Sequence, residues 1–182
     1  MRKDQQNIQP PMALNPVGVV RSPIKVPMLM AKDSGLSLEL RTEKVKEHHH
    51  QVKTGISELV IDKQWEPLLD GVEGFSHILV LYWPHLIDPS RRNLKKVHPM
   101  GRKDLPEQGI FATCSPARPN PVLVSAVALK ERKGNVLTVQ GLEAVDGSPI
   151  IDIKPYSHSY MIIESLKSPD WMEQIHSELD ED

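Results

Sequence analysis

The placement of proline limits how much of this chain can be helical. The sequence has 16 prolines in 182 residues, and positions 10, 11, 16, 23 and 27 all carry one. Proline removes a backbone donor and breaks helix interiors. We therefore expect residues 1–14 to form a flexible N-terminal arm and the rest to be mainly β.

Short apolar and β-branched runs predict the strands. The run His77–Trp83 is typical of a strand buried on both faces. Leu36, Leu38 and Leu40 alternate with polar residues, which predicts a half-buried strand. The other predicted strands are Val17–Arg21, Ile56–Ile61, Gly109–Thr113, Val122–Leu129, Val136–Gln140 and Pro149–Ile153. Turn residues at Lys133–Asn135 and Asp146-Gly147 join some of them, as in a barrel or sandwich.

Two helices are predicted. A short one covers Gln64–Leu69, and the other begins with Ser168 as N-cap and Pro169 in the first turn. The apolar stripe of the second helix consists of Trp171, Met172, Ile175 and Leu179. We expect this stripe to pack on the barrel or on a partner subunit, because anionic lipid would repel the acidic tail.

Charge and cysteine content exclude several classes of protein. The formal net charge is −2, so nucleic-acid contacts need a local basic patch. A single cysteine allows neither an internal disulfide nor a thiolate zinc cage, which fits a cytoplasmic protein. The apolar runs are too short to cross a bilayer, and phosphate-binding glycine motifs are missing. We expect neither a membrane nor DNA as a partner.

Two features have a structural and a chemical interpretation. Cys114 is either a nucleophile or, as we favour, a small side chain in or after a buried strand. His48–His50 either bind a metal ion or lie in a solvated loop. Adjacent histidines on a strand point to opposite faces, so we favour the loop and expect no metal site.

A proline-braced crossover carries the strongest binding signal. The segment GIFATCSPARPNP has three prolines between Ser115 and Pro121, which keep its backbone extended. Such a stiff loop, with Arg118 and Asn120, suits a ligand with several hydrogen-bonding groups. The alternative is a rigid barrel crossover with a surface arginine and asparagine.

A second polar segment, GLEAVDGSPIIDIKPY, follows the crossover. On its strand, Asp152 and Lys154 face the same side, opposite to Ile151 and Ile153. The pair is either a surface ion pair or, inside a pocket, a proton acceptor with an orienting cation.

Four motifs together resemble the TrmO (TsaA-like) family. They are VGVVRSPIK, GVEGFSHILVLYWPH, GIFATCSPARPNP and VDGSPIIDIKPY, and they extend over residues 16–157. The resemblance implies an S-adenosylmethionine-dependent methyltransferase built on a single antiparallel β-barrel. It also implies a homodimer with the cofactor near the subunit interface. Characterised members methylate N6 of threonylcarbamoyladenosine beside the anticodon of threonine tRNAs.

The resemblance also implies the site residues. The cofactor would contact His85, Cys114, Ser115, Arg118, Asn120, Pro121, Val124, Gln140, Gly141, Leu142, Glu143 and Asp146. Asp152 and Tyr156 are candidate catalytic bases, with Lys154 holding a carboxylate or phosphate. If the acceptor is RNA, the basic segment Asp88–Lys103 supplies the expected tRNA-binding residues Arg91, Arg92, Lys95, Lys96, Arg102 and Lys103. The alternative is an exposed loop that keeps the protein soluble.

Departures from the family pattern leave other acceptors open. Cys114 stands where the family usually has arginine, and Val122-Leu123 replaces Ile-Gly. We expect a barrel domain over residues 15–167, followed by a C-terminal helix and acidic tail over residues 168–182. The barrel domain contains an insertion relative to the family, at about residues 31–54. The alternatives are a same-fold methyltransferase acting on a small metabolite or protein, a non-catalytic S-adenosylmethionine-binding module and, less favoured, a metal-binding protein.

Overall fold

A closed barrel of six antiparallel strands forms the centre of the molecule. The computed structural model describes residues 12–28, 38–157 and 165–180 of the chain. The barrel strands are β1 (Gly18–Arg21), β2 (Ile56–Ile61), β3 (His77–Tyr82), β6 (Leu123–Lys133), β7 (Val136–Gln140) and β8 (Pro149–Pro155). They pair in the order β1-β2-β7-β6-β3-β8. A separate ribbon consists of β4 (Lys96–Val97) and β5 (Gln108–Gly109). The predicted single antiparallel barrel is confirmed.

Helical segments lie around the barrel. The α-helices are α1 (Leu38–Thr54) and α2 (Asp170–Asp180). The 3₁₀ segments are Lys63–Leu69, Val72–Gly74, Pro89–Asn93, Pro99–Gly101 and Ile110–Ala112. The predicted C-terminal helix is thus confirmed, and the short predicted helix is a 3₁₀ segment. Among the described helices, none has the length and apolar character that a bilayer crossing requires.

Alternate side chains of the strands fill the barrel. In β2, β3 and β7 every second residue is buried, as expected for strands with one face on a core. The run beginning at His77 is therefore not buried on both faces as predicted. Close approach of β1 to β2 depends on Gly18, because a Cβ there would lie 2.3 Å from the carbonyl oxygen of Val60.

A bulge in β8 determines the orientation of its polar residues. The register between β3 and β8 shifts between Asp152 and Ile150, which leaves Ile151 as an extra residue. Ile150 and Ile153 pack on the core. Asp152 and Lys154 share the outer face, as predicted, and form an ion pair there.

The segment predicted as a strand and a solvated loop is helical. The residues from Leu38 to Thr54 form the continuous helix α1, and the histidine triplet lies on it. Leu36, the first of the three alternating leucines, lies outside the described residues. The predictions of a strand and a loop are therefore wrong for the described part of this segment.

Residues Gly109–Thr113 form a turn rather than the predicted strand. Only Gly109 belongs to β5, and Ile110–Ala112 form one 3₁₀ turn. Arg118 Nη2 donates to the carbonyl oxygen of Ile110 at 3.1 Å and to that of Thr113. A side chain therefore satisfies carbonyl groups that a neighbouring strand would otherwise bind.

The apolar stripe of α2 faces α1. Ile175 and Leu179 lie with Thr42, Val45 and Met100 around one small cavity. Within the described chain, this stripe therefore packs on α1 and the segment beside it. The expected contact was with the barrel or with a partner subunit, and the second of these stays a prediction.

Candidate functional site

The polar side chains singled out from the sequence divide between the two ends of the barrel. We call the end where β1, β3 and β7 finish and β2, β6 and β8 begin the upper end. The strand residues at this end are Arg21, Ile56, Tyr82, Leu123, Gln140 and Pro149. The segments that carry the expected cofactor residues connect these strand ends. They therefore converge on the upper end.

The acidic turn at the upper end is tied to the chain that follows β1. Asp146 Oδ1 accepts the backbone N–H of Ser22 at 2.9 Å, and its Oδ2 lies 2.9 Å from Lys25 Nζ. The hydrogen bond from Lys25, followed by that from Ser22, holds the pKa of Asp146 below its usual value. This turn thus holds an ionised carboxylate in a defined position.

His85 lies over the same turn. Its Nδ1 is 3.4 Å from the hydroxyl of Ser148, which is almost completely buried. A Cβ at Gly147 would lie 3.6 Å from His85 Nε2, and Gly147 has a φ of 79°, so a residue without a side chain suits this position. The structure therefore places His85, from the segment after β3, against the turn that carries Asp146.

The proline-braced crossover is stiffened by its own arginine. Arg118 holds two backbone carbonyl groups, whereas its Nε is buried and has no hydrogen-bond partner among the described residues. Pro121 is fully buried, and Ser115 Oγ accepts the N–H of Ala117 at 3.3 Å. Cys114 is exposed, so the buried position that we favoured for it is wrong.

Helix α1 covers the segment that follows β7. Gln140 Nε2 donates to the carbonyl oxygen of Lys53 at 3.1 Å, and His48 Nε2 lies 3.3 Å from Glu143 Oε1. Leu142 is buried in the barrel core. A ligand can therefore contact Leu142 only through its backbone. Helix α1, which lies in the segment predicted as an insertion, is part of the upper end.

Tyr82 joins this segment to the barrel wall. Its hydroxyl lies 3.4 Å from the carbonyl oxygen of Glu143 and 3.4 Å from Ser125 Oγ. Burial raises the pKa of Tyr82 to about 12. The phenol is therefore neutral and can serve as a hydrogen-bond donor at the upper end. Val124, next to Ser125, exposes its side chain.

The candidate catalytic residues lie on β8 and directly after it. Asp152 Oδ2 is 2.7 Å from Lys154 Nζ on the half-exposed outer face of β8. Tyr156 donates its backbone N–H to the carbonyl oxygen of His77, at the lower end of the barrel. Seven residue steps separate Pro149 from Tyr156, or about 20 Å of strand. One chain therefore does not bring Lys154 and Tyr156 to the upper end.

An apolar cavity borders the outer face of β8. It has a volume of about 430 Å³, and its lining includes Asp152, Trp65, Leu68 and Phe75. The cavity lies between β8 and two 3₁₀ segments, away from the acidic turn and the crossover. It is therefore separate from the cluster at the upper end.

Five of the six expected tRNA-binding residues lie at accessible positions. Arg91, Lys95, Lys96 and Lys103 are exposed, and Arg92 is half-buried with its guanidinium 5.1 Å from the centre of the Trp83 ring. Arg102 differs, because its side chain is only 6% exposed.

Arg102 forms an internal ion pair network. Its guanidinium donates to Asp104 Oδ2 at 2.6 Å and to Glu178 Oε1 of α2 at 3.1 Å. Hydrogen bonds from Arg102 hold the pKa of both carboxyls below their usual values. The expectation that Arg102 belongs to an exposed basic surface is therefore wrong, and its contacts are those of a structural residue.

Several residues of the upper end were not singled out from the sequence. Ser22, Lys25 and Ser148 lie within motifs that carried the family resemblance, so their motif positions were a usable signal. Tyr82 was also missed, and His48 was considered only as a metal ligand; their contacts with Glu143 span 61 and 95 residues. Such separations leave no local pattern to detect.

A model of a known protein family matches most of this chain. A model of the family described as "tRNA-methyltransferase O N-terminal domain" matches residues 41–161. The chain belongs to the TrmO family. The match includes most of α1 and every barrel strand except β1, so family membership rests on the barrel itself.

Three curated relatives each match more than half of this chain. A protein of Methanothermobacter thermautotrophicus, named "Probable S-adenosyl-L-methionine-binding protein", is 42% identical over 84% of this chain and 93% of its own. An Archaeoglobus fulgidus "S-adenosyl-L-methionine-binding protein" is 35% identical over 86% of this chain and 97% of its own. The mouse "tRNA (adenine(37)-N6)-methyltransferase" is 36% identical over 52% of this chain and 22% of its own.

Solved structures share the fold. A crystal structure of TrmO has a TM-score of 0.63 and 23% identity, and the match covers 87% of this chain. A second, TrmO from Pseudomonas aeruginosa, has a TM-score of 0.60 and 20% identity over 86% of this chain. The chain spans 63% and 61% of the length of these two structures.

Proposed function

We propose that this member of the TrmO family transfers a methyl group from S-adenosylmethionine to tRNA. The observation that carries the proposal is the family match across the barrel. Two archaeal relatives named for binding S-adenosylmethionine align along more than nine-tenths of their own length. The mouse relative named as a tRNA adenine-N6 methyltransferase supports tRNA as the acceptor.

S-adenosylmethionine is the cofactor in this proposal, and the upper end offers groups that fit it. The ionised Asp146 accepts hydrogen bonds from an amino group or a ribose hydroxyl. The buried Nε–H of Arg118 has no partner among the described residues and suits a carboxylate. Val124 provides exposed apolar area. The bound cofactor supplies an electrophilic methyl group on a sulfonium.

The protein's part in the reaction is alignment. Three prolines and the arginine that holds the carbonyl groups of Ile110 and Thr113 keep the crossover rigid before any ligand binds. Orienting two reactants lowers a barrier by about 7–11 kcal/mol in favourable cases. A loop that is already ordered loses little entropy on binding, so more binding energy remains for alignment.

The proposed acceptor is N6 of threonylcarbamoyladenosine beside the anticodon. A carbamoylated N6–H is a poor nucleophile, so a base must accept its proton during transfer. Asp152 and Tyr156 remain the proposed bases, with Lys154 binding a carboxylate or phosphate. Because Lys154 and Tyr156 lie far from the upper end of their own chain, they would serve the upper end of a second copy in the proposed homodimer.

A transfer assay with labelled cofactor tests this function. The protein is incubated with total tRNA that carries or lacks the threonylcarbamoyl group, and we expect label only in the tRNA that carries it. The variants His85→Ala and Asp146→Asn should bind the cofactor more weakly in calorimetry. His49→Ala, at an exposed position of α1, is the matched control. Label in neither tRNA pool would contradict the proposal.

Two other functions remain as alternatives. Cys114 and Leu123 differ from the family pattern beside the crossover, which favours a small metabolite or a protein as acceptor. The archaeal relatives are named only for binding, which favours a non-catalytic S-adenosylmethionine-binding module. Calorimetry with the cofactor, followed by mass spectrometry of the products, separates these functions.

The histidine triplet gives little support to a metal-binding function. Its members lie on helix α1, and His48 contacts Glu143. Within residues 12–28, 38–157 and 165–180, no group of three or more histidine, cysteine or carboxylate side chains is arranged to hold a metal ion. The cytoplasmic location stays a prediction.

A further inference from the structure

Phe111 exposes a large aromatic ring on a turn. Its side chain is 83% exposed, and it occupies the middle of the 3₁₀ turn Ile110–Ala112. Burial of a phenylalanine ring from water favours folding, and this position gains almost none of that benefit. The folded chain therefore leaves an apolar surface that an external group can cover.

The turn that carries Phe111 is fixed on both sides. Arg118 Nη2 donates to the carbonyl oxygens of Ile110 and Thr113, one on each side of Phe111. The N–H of Ile110 donates to the carbonyl oxygen of Lys95 at 2.9 Å, and Ile110 itself is buried. Phe111 therefore stands on a backbone that is already ordered.

Two lysines lie on the segment paired with the turn that carries this ring. Lys96 of β4 pairs with Gly109 of β5, and Lys95 binds the turn through its backbone. Both lysines are exposed, and neither forms a salt bridge with another residue in the described part of the chain. A nucleotide complements this arrangement, because its base stacks on an aromatic ring and its phosphate pairs with lysine.

The ring of Trp83, unlike that of Phe111, has a partner on one face. The guanidinium of Arg92 lies 5.1 Å from the centre of the Trp83 ring, so one face of that ring already has a partner. Phe111 has no such cover, and the charges beside it argue against a protein partner, since the centres of protein interfaces are depleted in lysine.

We propose that Phe111 is a stacking platform for an unpaired base of the tRNA, and that Lys95 and Lys96 hold the phosphates next to that base. This inference rests on the proposed function and assigns a positioning role within it. Phe111 and Cys114 belong to the same crossover, and at most about 11 Å of chain separates them. The stacked base would therefore lie beside the site proposed for methyl transfer.

Substitution of Phe111 tests the stacking role. Loss of one base-aromatic stack weakens single-strand binding by about 5- to 150-fold, so Phe111→Ala should raise the Kd for tRNA by that factor. Phe111→Leu, which keeps an apolar side chain, should bind nearly as weakly, and Phe111→Tyr should restore binding. Leu166→Ala is the matched control, because Leu166 is also highly exposed.

Three further measurements separate stacking from a structural effect. The Kd for S-adenosylmethionine and the thermal midpoint should be the same in Phe111→Ala and wild type. The double variant Lys95→Ser/Lys96→Ser should reduce the slope of log Kd against log salt by about 1.4. Sedimentation should give the same oligomeric state for Phe111→Ala as for wild type.

The possible failures are distinguishable. If wild-type protein methylates tRNA and Phe111→Ala binds tRNA within twofold of wild type, the stacking role is wrong and the proposed function stands. If Phe111→Ala dissociates an oligomer and leaves tRNA affinity unchanged, the ring contacts a second copy instead. If wild-type protein neither binds nor methylates tRNA, both proposals are wrong.

Discussion

Replacement of Arg102 by glutamine is expected to loosen α2 from the rest of the chain. The guanidinium of Arg102 connects Asp104 to Glu178, and its side chain is only 6% exposed. Glutamine is polar but shorter than arginine and uncharged, so both carboxylates lose their charged partner. Since Glu178 belongs to α2, the effect should concentrate on that helix.

The expected loss follows from the burial of the three groups. Removal of one partner from a buried ion pair costs about 3–5 kcal/mol. Here the side chains of Asp104 and Glu178 are 33% and 28% exposed, so water compensates part of the loss. We therefore expect Arg102→Gln to lower the free energy of unfolding by about 2–3 kcal/mol. The neighbouring exposed Lys103→Gln should change it by less than about 0.5 kcal/mol.

The effect should depend on pH in a defined direction. Arg102 lowers the pKa of Asp104 and Glu178 in the folded protein. Such carboxyls contribute stability above their unfolded pKa of about 4 and lose it as the pH falls through the folded pKa. The difference between wild type and Arg102→Gln should therefore be full at about pH 7 and shrink below about pH 4.

Urea unfolding at both pH values and hydrogen exchange of the α2 amides measure these effects. We expect Arg102→Gln to unfold at lower urea near neutral pH and its α2 amides to exchange faster. Equal unfolding midpoints for the Arg102 and Lys103 variants would refute the reasoning. So would a difference that stays undiminished in acid.

Three further predictions concern the barrel and its upper end. Gly147→Ala should lower the free energy of unfolding by about 1–2 kcal/mol because Gly147 has a φ of 79°. Gly74→Ala is the control and should leave the free energy of unfolding unchanged, because a Cβ there would lie in open space. Equal thermal midpoints for the two variants would contradict the prediction. Leu59→Ala should lower the free energy of unfolding, measured in urea, by about 2–5 kcal/mol because Leu59 is fully buried. Leu68→Ala should lower it little, because Leu68 is exposed. Because the pKa of Tyr82 is raised to about 12, its contribution to stability should be lost as the pH rises from about 10. Tyr82→Phe should abolish this loss of stability at high pH. It should also remove the tyrosinate absorbance step that occurs at the highest pH. If the absorbance titration of the variant matches that of wild type, the raised pKa does not belong to Tyr82.

Local patterns made the barrel predictable, and the same reasoning missed α1. The strand Val136–Gln140 was predicted with its observed bounds, because alternate burial leaves a signal in neighbouring residues. The inward stripe of α1 consists of Arg41, Val45, His48 and Val52, spaced as on a helix face. Two of these four side chains are polar, so apolar periodicity did not reveal the helix.

The upper end was predictable in part because motif residues next to strand ends converge when a barrel closes. His85 comes to lie beside Gly147, the neighbour of Asp146, in this way. The position of Tyr156 was not predictable from its closeness to Asp146 in sequence. A full strand lies between the two residues, and its bulge and pairing set which face and which end each side chain occupies.

Closure of the barrel has a consequence for its synthesis. β1 meets β8 at only two register positions, Gly18 with Ile150 and Val19 with Pro149, and β8 also pairs with β3. Until Pro155 has left the ribosome, the nascent barrel presents open edges of β1 and β3, and such edges pair readily with other chains. Synthesis of the intervening residues takes roughly ten seconds at about 5–20 residues per second. The yield of native protein should therefore depend on translation speed and on what shields these edges during that time.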